Sequence, residues 1–320
     1  RPAVYSAKVS SIDFSLPCLL PNSLYKAVTI PRRPSLLLLR EDINFLLTNR
    51  LLRQLLTRFM GWFSQIEHPL VRDISIGIWK RFAALDLSDA RQSPFRSLHD
   101  CFTRQLRAGA RPLDNNPDSL ISPCDGIVGA CGAISGTQVI QAKGFPYALP
   151  DLLHDPALVE YYRDGTYVTL RLTSSMYHRF HAPCDCRVDR VTYISGDTWN
   201  VNPIALKRVE KLFCKNERVL IETTLTGSGN RITLVPVAAI LVASVRLLFL
   251  DTLLHLRYRG PNVIPCRAIF SRGDEMGWFQ HGSTIIVFAP KGFALCAGIA
   301  AGQHVRMGEA LLRVPPSSPQ

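Results

Sequence analysis

From residue 120 onward the chain is written in short β-branched and aromatic runs cut by glycine-bearing turns. Gly126-Ile127-Val128-Gly129, Val139-Ile140-Gln141-Ala142, Tyr167-Val168-Thr169-Leu170 and residues 218–223 are of this kind. Runs this short, bounded by turn residues, suit a pleated strand and are too short for a packed helix. They predict a largely β domain made of packed or barrel-like sheets. Residues 149–162 break the rhythm and predict a helical insertion. The longest apolar stretch, residues 234–250, is interrupted by Pro236 and Arg246 and is rich in Val and Ile. It predicts one or two buried strands and not a membrane-spanning helix.

The chain before residue 114 is different in kind. In residues 43–66, Leu51, Leu52, Leu55, Leu56, Phe59, Met60 and Phe63 recur at helical spacing, with Arg50, Arg53 and Arg58 on the other side or its edges. This is an amphipathic helix, suited either to its own protein's core or to the interface of a lipid layer. A second helix is predicted over 71–84 with Trp79 and Phe82 inward, and a short one within 95–112 that ends at Gly109. The polar turn at 114–118 marks the domain boundary. The division expected is an N-terminal extension (1–42), a helical membrane-associating region (43–113) and a β-rich domain (114–320). The extension starts at Arg1, carries few acids, and reads equally as a worn transit peptide or an irregular leader.

Charge narrows the partners. Lys and Arg number 37 against 25 Asp and Glu, a formal net charge of +12. No aromatic-flanked basic motif points to nucleic acid, whereas an anionic membrane surface suits both the charge and the amphipathic helix. The nine cysteines form no zinc-type spacing, only Cys184 and Cys186 are close, and a reducing compartment is expected.

Three segments carry chemistry. Gly282-Ser283-Thr284 stands directly before the apolar run 285–288. Glycine leaves its carbonyl open to the hydroxyl that follows, so Ser283 is placed to attack the peptide bond on its own N-terminal side. That attack needs a base and an orienting acid. Tyr177-His178-Arg179-Phe180-His181-Ala182-Pro183 offers two histidines, and Ser122-Pro123-Cys124-Asp125-Gly126 an aspartate.

Taken in order, these segments resemble the phosphatidylserine decarboxylase family, whose pattern is Ser-Pro-x-Asp-Gly, then Tyr-His-Arg-x-His-x-Pro, then Gly-Ser-Thr. Gly196-Asp197, Leu212-Phe213 and Asn216-Glu217-Arg218-Val219 also look like family segments, and the resemblance covers about residues 44–314. It implies an α+β fold: N-terminal amphipathic helices, then a mainly β catalytic domain with lipoyl-carrier-like sandwich or barrel character, to which the glycine-turn-strand rhythm of 302–311 corresponds. It implies self-cleavage between Gly282 and Ser283 into a β-chain (1–282) and an α-chain (283–320). Asp125 would orient His181 and His181 would deprotonate Ser283, whose remnant becomes a covalent pyruvoyl group, the pyruvate cofactor. That group would form a Schiff base with phosphatidylserine, carbon dioxide would leave, and His178 would serve decarboxylation and protonation, giving phosphatidylethanolamine. No metal and no nucleic acid are implied. The partners are phosphatidylserine, an anionic membrane surface, and the α/β heterodimer of the cleavage products, with further dimerisation left open. The expected location is peripheral, on a bacterial cytoplasmic membrane or else the mitochondrial inner membrane.

Two departures from the family pattern stand out. His281 precedes Gly282 where an apolar residue is usual, and Ser174-Ser175-Met176 replaces Ser-Pro-x-Asp before Tyr177. The competing readings are a pyruvoyl-dependent decarboxylase of a soluble amino acid and a lipid-binding relative that never matures.

Overall fold

The computed structural model describes residues 59–83, 85–140, 146–239, 244–250, 252–255, 258–280 and 284–316. The extension 1–42, most of the amphipathic stretch 43–66, and His281, Gly282 and Ser283 lie outside the described residues.

Among the described residues, the centre of the fold is an antiparallel sheet of eight strands. Its order is β12 (Val263–Phe270), β7 (Cys186–Ile194), β8 (Arg218–Leu225), β9 (Arg231–Val237), β14 (Thr284–Ala289), β5 (Thr166–Arg171), β2 (Gly126–Ala133) and β16 (His304–Val305). On one face lies a smaller sheet in the order β11 (Thr252–His255), β10 (Ser244–Leu247), β13 (Glu275–Phe279) and β6 (Arg179–His181). A third sheet joins β1 (Ser119–Ile121), β17 (Ala310–Arg313) and β15 (Ala294–Leu295), and a hairpin joins β3 (Gln138–Ile140) to β4 (Pro146–Ala148). The helices are α1 (Pro69–Ala83), α2 (Leu98–Phe102), α3 (Leu149–Leu153), α4 (Pro156–Tyr161), α5 (Pro203–Arg208) and α6 (Leu212–Lys215).

Two cores explain the apolar runs. Successive side chains of a strand point to opposite faces. In β14, Ile285 and Val287 face Phe180, Val245, Met276 and Phe279 of the smaller sheet. Ile286 and Phe288 face Leu149, Leu152, Leu158, Leu206 and Phe213 from α3, α4, α5 and α6. Every residue of β14 is therefore buried, which is why its sequence is apolar without alternation. The stretch 234–250 supplies β9 and β10, as its composition predicts, and the insertion at 149–162 is the pair α3 and α4. The sheets are open among the described strands: the outer strands β12 and β16 do not pair, and the barrel-like part of the expectation is not met.

Two expectations for the helical region are corrected. Trp79 stacks on Phe102 with ring centroids 5.6 Å apart, but Phe82 is 85% exposed and not inward. The short helix of the 95–112 segment ends at Phe102 and not at Gly109. Thr103 closes it with its backbone N–H and its hydroxyl on the His99 carbonyl. Arg104 then turns inward, donating to the carbonyls of Cys101 and Ser175 at 3.4 and 3.1 Å.

The chain passes from the smaller sheet to the larger one between Phe279 of β13 and Thr284 of β14. Gly277 makes the approach of β13 to β10 possible, since a Cβ there would stand 2.2 Å from the Arg246 carbonyl oxygen and 2.8 Å from the Phe180 ring. Gly277→Ala should therefore cost about 1–3 kcal/mol by forced repacking, read as a lowered denaturant midpoint. Gly227→Ala, where a Cβ meets nothing within 4 Å, is the control. Equal midpoints for the two variants would refute this account.

Candidate active site

The histidine-bearing segment is held from three directions. A turn folds Met176 back on Thr173, N–H to carbonyl at 3.1 Å, just before Tyr177. Ser97 starts α2 by accepting from the Asp100 N–H at 3.1 Å, while the Asp100 carboxylate accepts from the Arg96 N–H at 2.8 Å. Such reciprocal capping fixes a short helix that propensity alone would not. The helix delivers Phe102 onto the His178 ring, with centroids 3.9 Å apart. His178 is wholly buried, and its Nδ1 lies 2.9 Å from the Met176 carbonyl oxygen.

His181 lies in β6, opposite Glu275 of β13. Its Nδ1 is 2.8 Å from the Gly273 carbonyl oxygen and its Nε2 is 2.9 Å from the Tyr177 hydroxyl. A carbonyl can only accept, so Nδ1 carries the proton and Nε2 holds the lone pair, to which the phenol donates. Burial pushes the imidazole pKa below its ordinary value of 6.5, with the Gly273 bond and the Glu275 charge opposing. The ring is thus neutral near pH 7, as a base must be. Burial also raises the Tyr177 phenol, which stays protonated.

Asp125 joins this neighbourhood through the backbone: the His181 N–H donates to the Pro123 carbonyl at 2.8 Å. Its carboxylate, however, does not grip the imidazole. Arg111 reaches both oxygens, Nε to Oδ1 at 2.9 Å and Nη2 to Oδ2 at 2.7 Å, and the Met307 N–H donates to Oδ1 at 2.9 Å. Arg111 also donates to Asp89 at 2.8 Å, which ties the helical region to the β domain. The hydrogen bond expected from Asp125 to His181 is thus replaced by the Gly273 carbonyl in the described structure. Asp125 acts on the ring only through its charge. These groups border a polar cavity of about 230 Å³ lined by Arg111, Tyr177, His181, Glu275 and Met307.

Gly282 and Ser283 lie outside the described residues, but their flanks are informative. The Phe279 N–H donates to the His178 carbonyl at 3.0 Å. Thr284 pairs with Arg171 of β5 on one side and with Val237 of β9 on the other. The Thr284 hydroxyl is buried and has no hydrogen-bond partner in the described structure. Beside this register opens a larger cavity of about 720 Å³. Met60, Phe63, Ile78, Trp79, Leu98 and Phe102 form its apolar wall, and the end of β5 with Asn200 and Asn202 forms its polar floor.

The segments of Asp125, His178 and His181, expected from the sequence to react, therefore border two cavities. Arg111, Gly273, Phe102 and Arg171 join them without having been singled out by the sequence, and Tyr177 had no role of its own in the sequence reading. Tyr177 had a visible signal, its place in the histidine motif four residues before His181. The others act through tertiary contacts that leave no local pattern.

Comparison with known proteins bears on the same residues. The family model described as phosphatidylserine decarboxylase matches residues 98–313. The phosphatidylserine decarboxylase proenzyme of Halorhodospira halophila is 38% identical over 284 residues, covering 86% of this chain and 94% of the relative. Those of Haemophilus influenzae and Methylococcus capsulatus are each 34% identical over 269 residues, covering 80% of this chain and 91% of the relative.

The His181 environment fixes the sign of a pH effect. Because its folded pKa lies below the unfolded 6.5, the stability it contributes is present above 6.5 and is lost as pH falls through the folded value. An NMR titration should find the His181 midpoint below 6.5. Tyr177→Phe removes a donor to the neutral ring and should move that midpoint upward. A wild-type midpoint at or above 6.5 contradicts this assignment of the ring.

Proposed function

This chain belongs to the phosphatidylserine decarboxylase family, and from that premise we propose that it converts phosphatidylserine to phosphatidylethanolamine and carbon dioxide after cutting itself between Gly282 and Ser283. The observation that carries the proposal is the anchoring of the cut's two flanks. Phe279 is bonded to His178 and Thr284 is registered beside Arg171 on the floor of an apolar cavity. A soluble amino acid has no use for such a wall, whereas a lipid has.

In the cleavage, Ser283 Oγ adds to the Gly282 carbonyl, and the peptide C–N bond breaks as the ester C–O bond forms. Elimination at the Ser283 Cβ then releases the Gly282 carboxylate, and hydrolysis of the resulting dehydroalanine leaves a pyruvoyl group with loss of ammonia. His181 takes the serine proton on Nε2 once the Tyr177 hydroxyl gives way. Gly273 holds the ring in that tautomer and Asp125 favours the imidazolium that forms. The residues at hand fit the group: the buried hydroxyl of Thr284, next along the chain and without a partner among the described residues, is a donor for a carbonyl-bearing neighbour. Bound there, a pyruvoyl group supplies an electron sink for the carbon that loses carbon dioxide. His178, packed beneath Phe102, returns the proton to that carbon. The products 1–282 and 283–320 remain together as an α/β pair.

The protein works at a membrane surface. Leu70, Ile74, Ile78 and Phe82 of α1 recur every fourth residue and are 67, 60, 56 and 85% exposed. Phe59 and Trp62 are exposed as well, and Arg72, Lys80 and Arg81 flank the stripe. An apolar stripe with basic flanks, on a chain of net charge +12, suits the boundary of an anionic lipid layer. Among the described residues no helix is long and apolar enough to cross a membrane.

Intact mass spectrometry of the wild-type chain should show two pieces meeting at 282/283, the smaller blocked by a pyruvoyl group, and Ser283→Ala should stay whole and inactive. His178→Ala should still be cut yet lose decarboxylation by about 10²–10⁴-fold. Turnover by an uncut Ser283→Ala chain would end the proposal. For the surface, Leu70→Glu with Ile74→Glu should lower flotation with anionic vesicles about tenfold or more. Unchanged flotation would remove α1 from the membrane contact.

A further inference from the structure

Among the described residues, the larger cavity holds a charge without a counter-charge. Arg171 ends β5, and the side-chain alternation of the sheet sets its direction. Ile286 and Phe288 of β14, Val235 and Val237 of β9, and Tyr167 of β5 all face the helix-covered side. Thr284 and Arg171 continue that alternation, so they stand side by side on the same face, directly after the cut. Arg171 is half-buried and lines the cavity with Thr173, Ser174, Asn200 and Asn202. None of the described lining residues is acidic.

Among the described residues the guanidinium has no hydrogen-bond acceptor and no ion-pair partner, in contrast to Arg111, Arg179, Arg190 and Arg218. Burial lowers its pKa with no opposing acid. A guanidinium brings five donors in a planar fork and remains charged, so withdrawing it from water without an acceptor is costly. A site arranged in this way gains most from an anion that arrives with an apolar tail.

We propose that Arg171 binds the phosphodiester of the lipid head group at the polar end of the cavity, with the acyl chains along the Met60, Phe63, Trp79 and Phe102 wall. This rests on the reading of the chain as a phosphatidylserine decarboxylase. The substrate carries two anions, and the chemistry selects between them. A guanidinium on the carboxylate would stabilise the charge that must be lost with carbon dioxide and would hold the ground state back. On the phosphodiester, which keeps its charge throughout, the same fork binds substrate and transition state alike. Arg171 is thus a binding and selectivity residue, and its loss should appear in KM.

The test separates this site from the chemistry. The full-length Ser283→Ala chain is titrated with didecyl phosphate in detergent micelles, following the fluorescence of the four tryptophans, of which Trp79 lines the cavity. Didecyl phosphate should saturate the signal, and an uncharged trialkyl phosphate should bind about tenfold or more weakly. Arg171→Leu on this background should abolish the difference, and Arg171→Lys should keep the charge preference but weaken it. In the cleavable chain, Arg171→Leu should still be cut at 282/283 and should raise KM for phosphatidylserine about tenfold or more, with a smaller change in kcat. Equal binding of the charged and uncharged probes by the arginine-containing chain overturns the proposal whether or not the variants fold. So does a long-chain O-alkylserine, which has the carboxylate and no phosphate, competing as well as didecyl phosphate. Failure of the cleavable wild-type chain to decarboxylate would instead count against the proposed function, leaving the probe-binding result to be judged separately.

Discussion

The strand β14 is the constraint on which the rest of the structure depends. It lies between β5 and β9, paired to both along nearly all its length, and every one of its residues is buried. Its odd-numbered apolar side chains hold the smaller sheet and its even-numbered ones hold the helices α3 to α6. Burying an isoleucine, valine or phenylalanine contributes about 1.5–3 kcal/mol each, so these few residues fix both layers at once. The proposed cut falls one residue before this strand. A chain cut there keeps both ladders, and β17 still pairs with β1 across the break. The proposed cleavage would thus remove a covalent link just ahead of a fully buried strand without removing the packing that holds the two pieces.

The same economy governs the histidines. His181 is oriented by a backbone carbonyl, which cannot be titrated, and its basicity is set by burial. Asp125 is occupied in neutralising Arg111 and in bonding the loop at Met307. Paired in this way, its charge reaches His181 only weakly, behind that of Glu275, while its geometry serves the junction between the helical region and the β domain. A base whose tautomer is fixed by main chain and whose charge is offset by a spectator carboxylate loses little when the side-chain network around it shifts. In the proposed cleavage Tyr177 would be the movable part, since its hydroxyl rests on the Nε2 lone pair that the serine proton would take.

Much of this was legible in the sequence, for identifiable reasons. A strand buried on both faces leaves an unbroken apolar run, so β14 could be read directly, and the Val- and Ile-rich composition of 234–250 announced β9 and β10 despite Pro236 and Arg246. The motif residues Asp125, His178, His181 and Ser283 could be proposed as reacting groups because their spacing survives as a linear pattern. Phe82 was expected inward and is exposed, because an apolar residue on an amphipathic helix satisfies a membrane or a core equally well and only the tertiary structure distinguishes them. The end of α2 was misread at Gly109 because the turn there is real: Gly109 has φ 78°, yet the helix has already closed at Thr103. Gly273 contributes a carbonyl, which every residue possesses, so no residue type could announce it. The lipoyl-like rhythm of 302–311 reflects tight glycine turns, which serve an open sheet as well as a barrel.

The division of labour in the larger cavity follows from where its walls come from. The floor is built from β5, from the residues after β9 and from the 200–202 turn, all parts of the β domain and all fixed by β14. The apolar wall is built from 60–63, α1 and α2, which are bound to the β domain through Trp79 on Phe102, Phe102 on His178, and the Arg111 bridge between Asp89 and Asp125. A site made by one element alone could be tuned only by changing that element. Here the residues proposed to react sit on the sheet side and the surface proposed for the acyl chains sits on the helices. If α1 meets lipid as proposed, the contact acts on the wall directly and on the histidine segment through Phe102 and the neighbouring Arg104 and Arg179 bonds. The stack of Phe102 on His178 thus couples the helical wall to the histidine proposed to handle the proton.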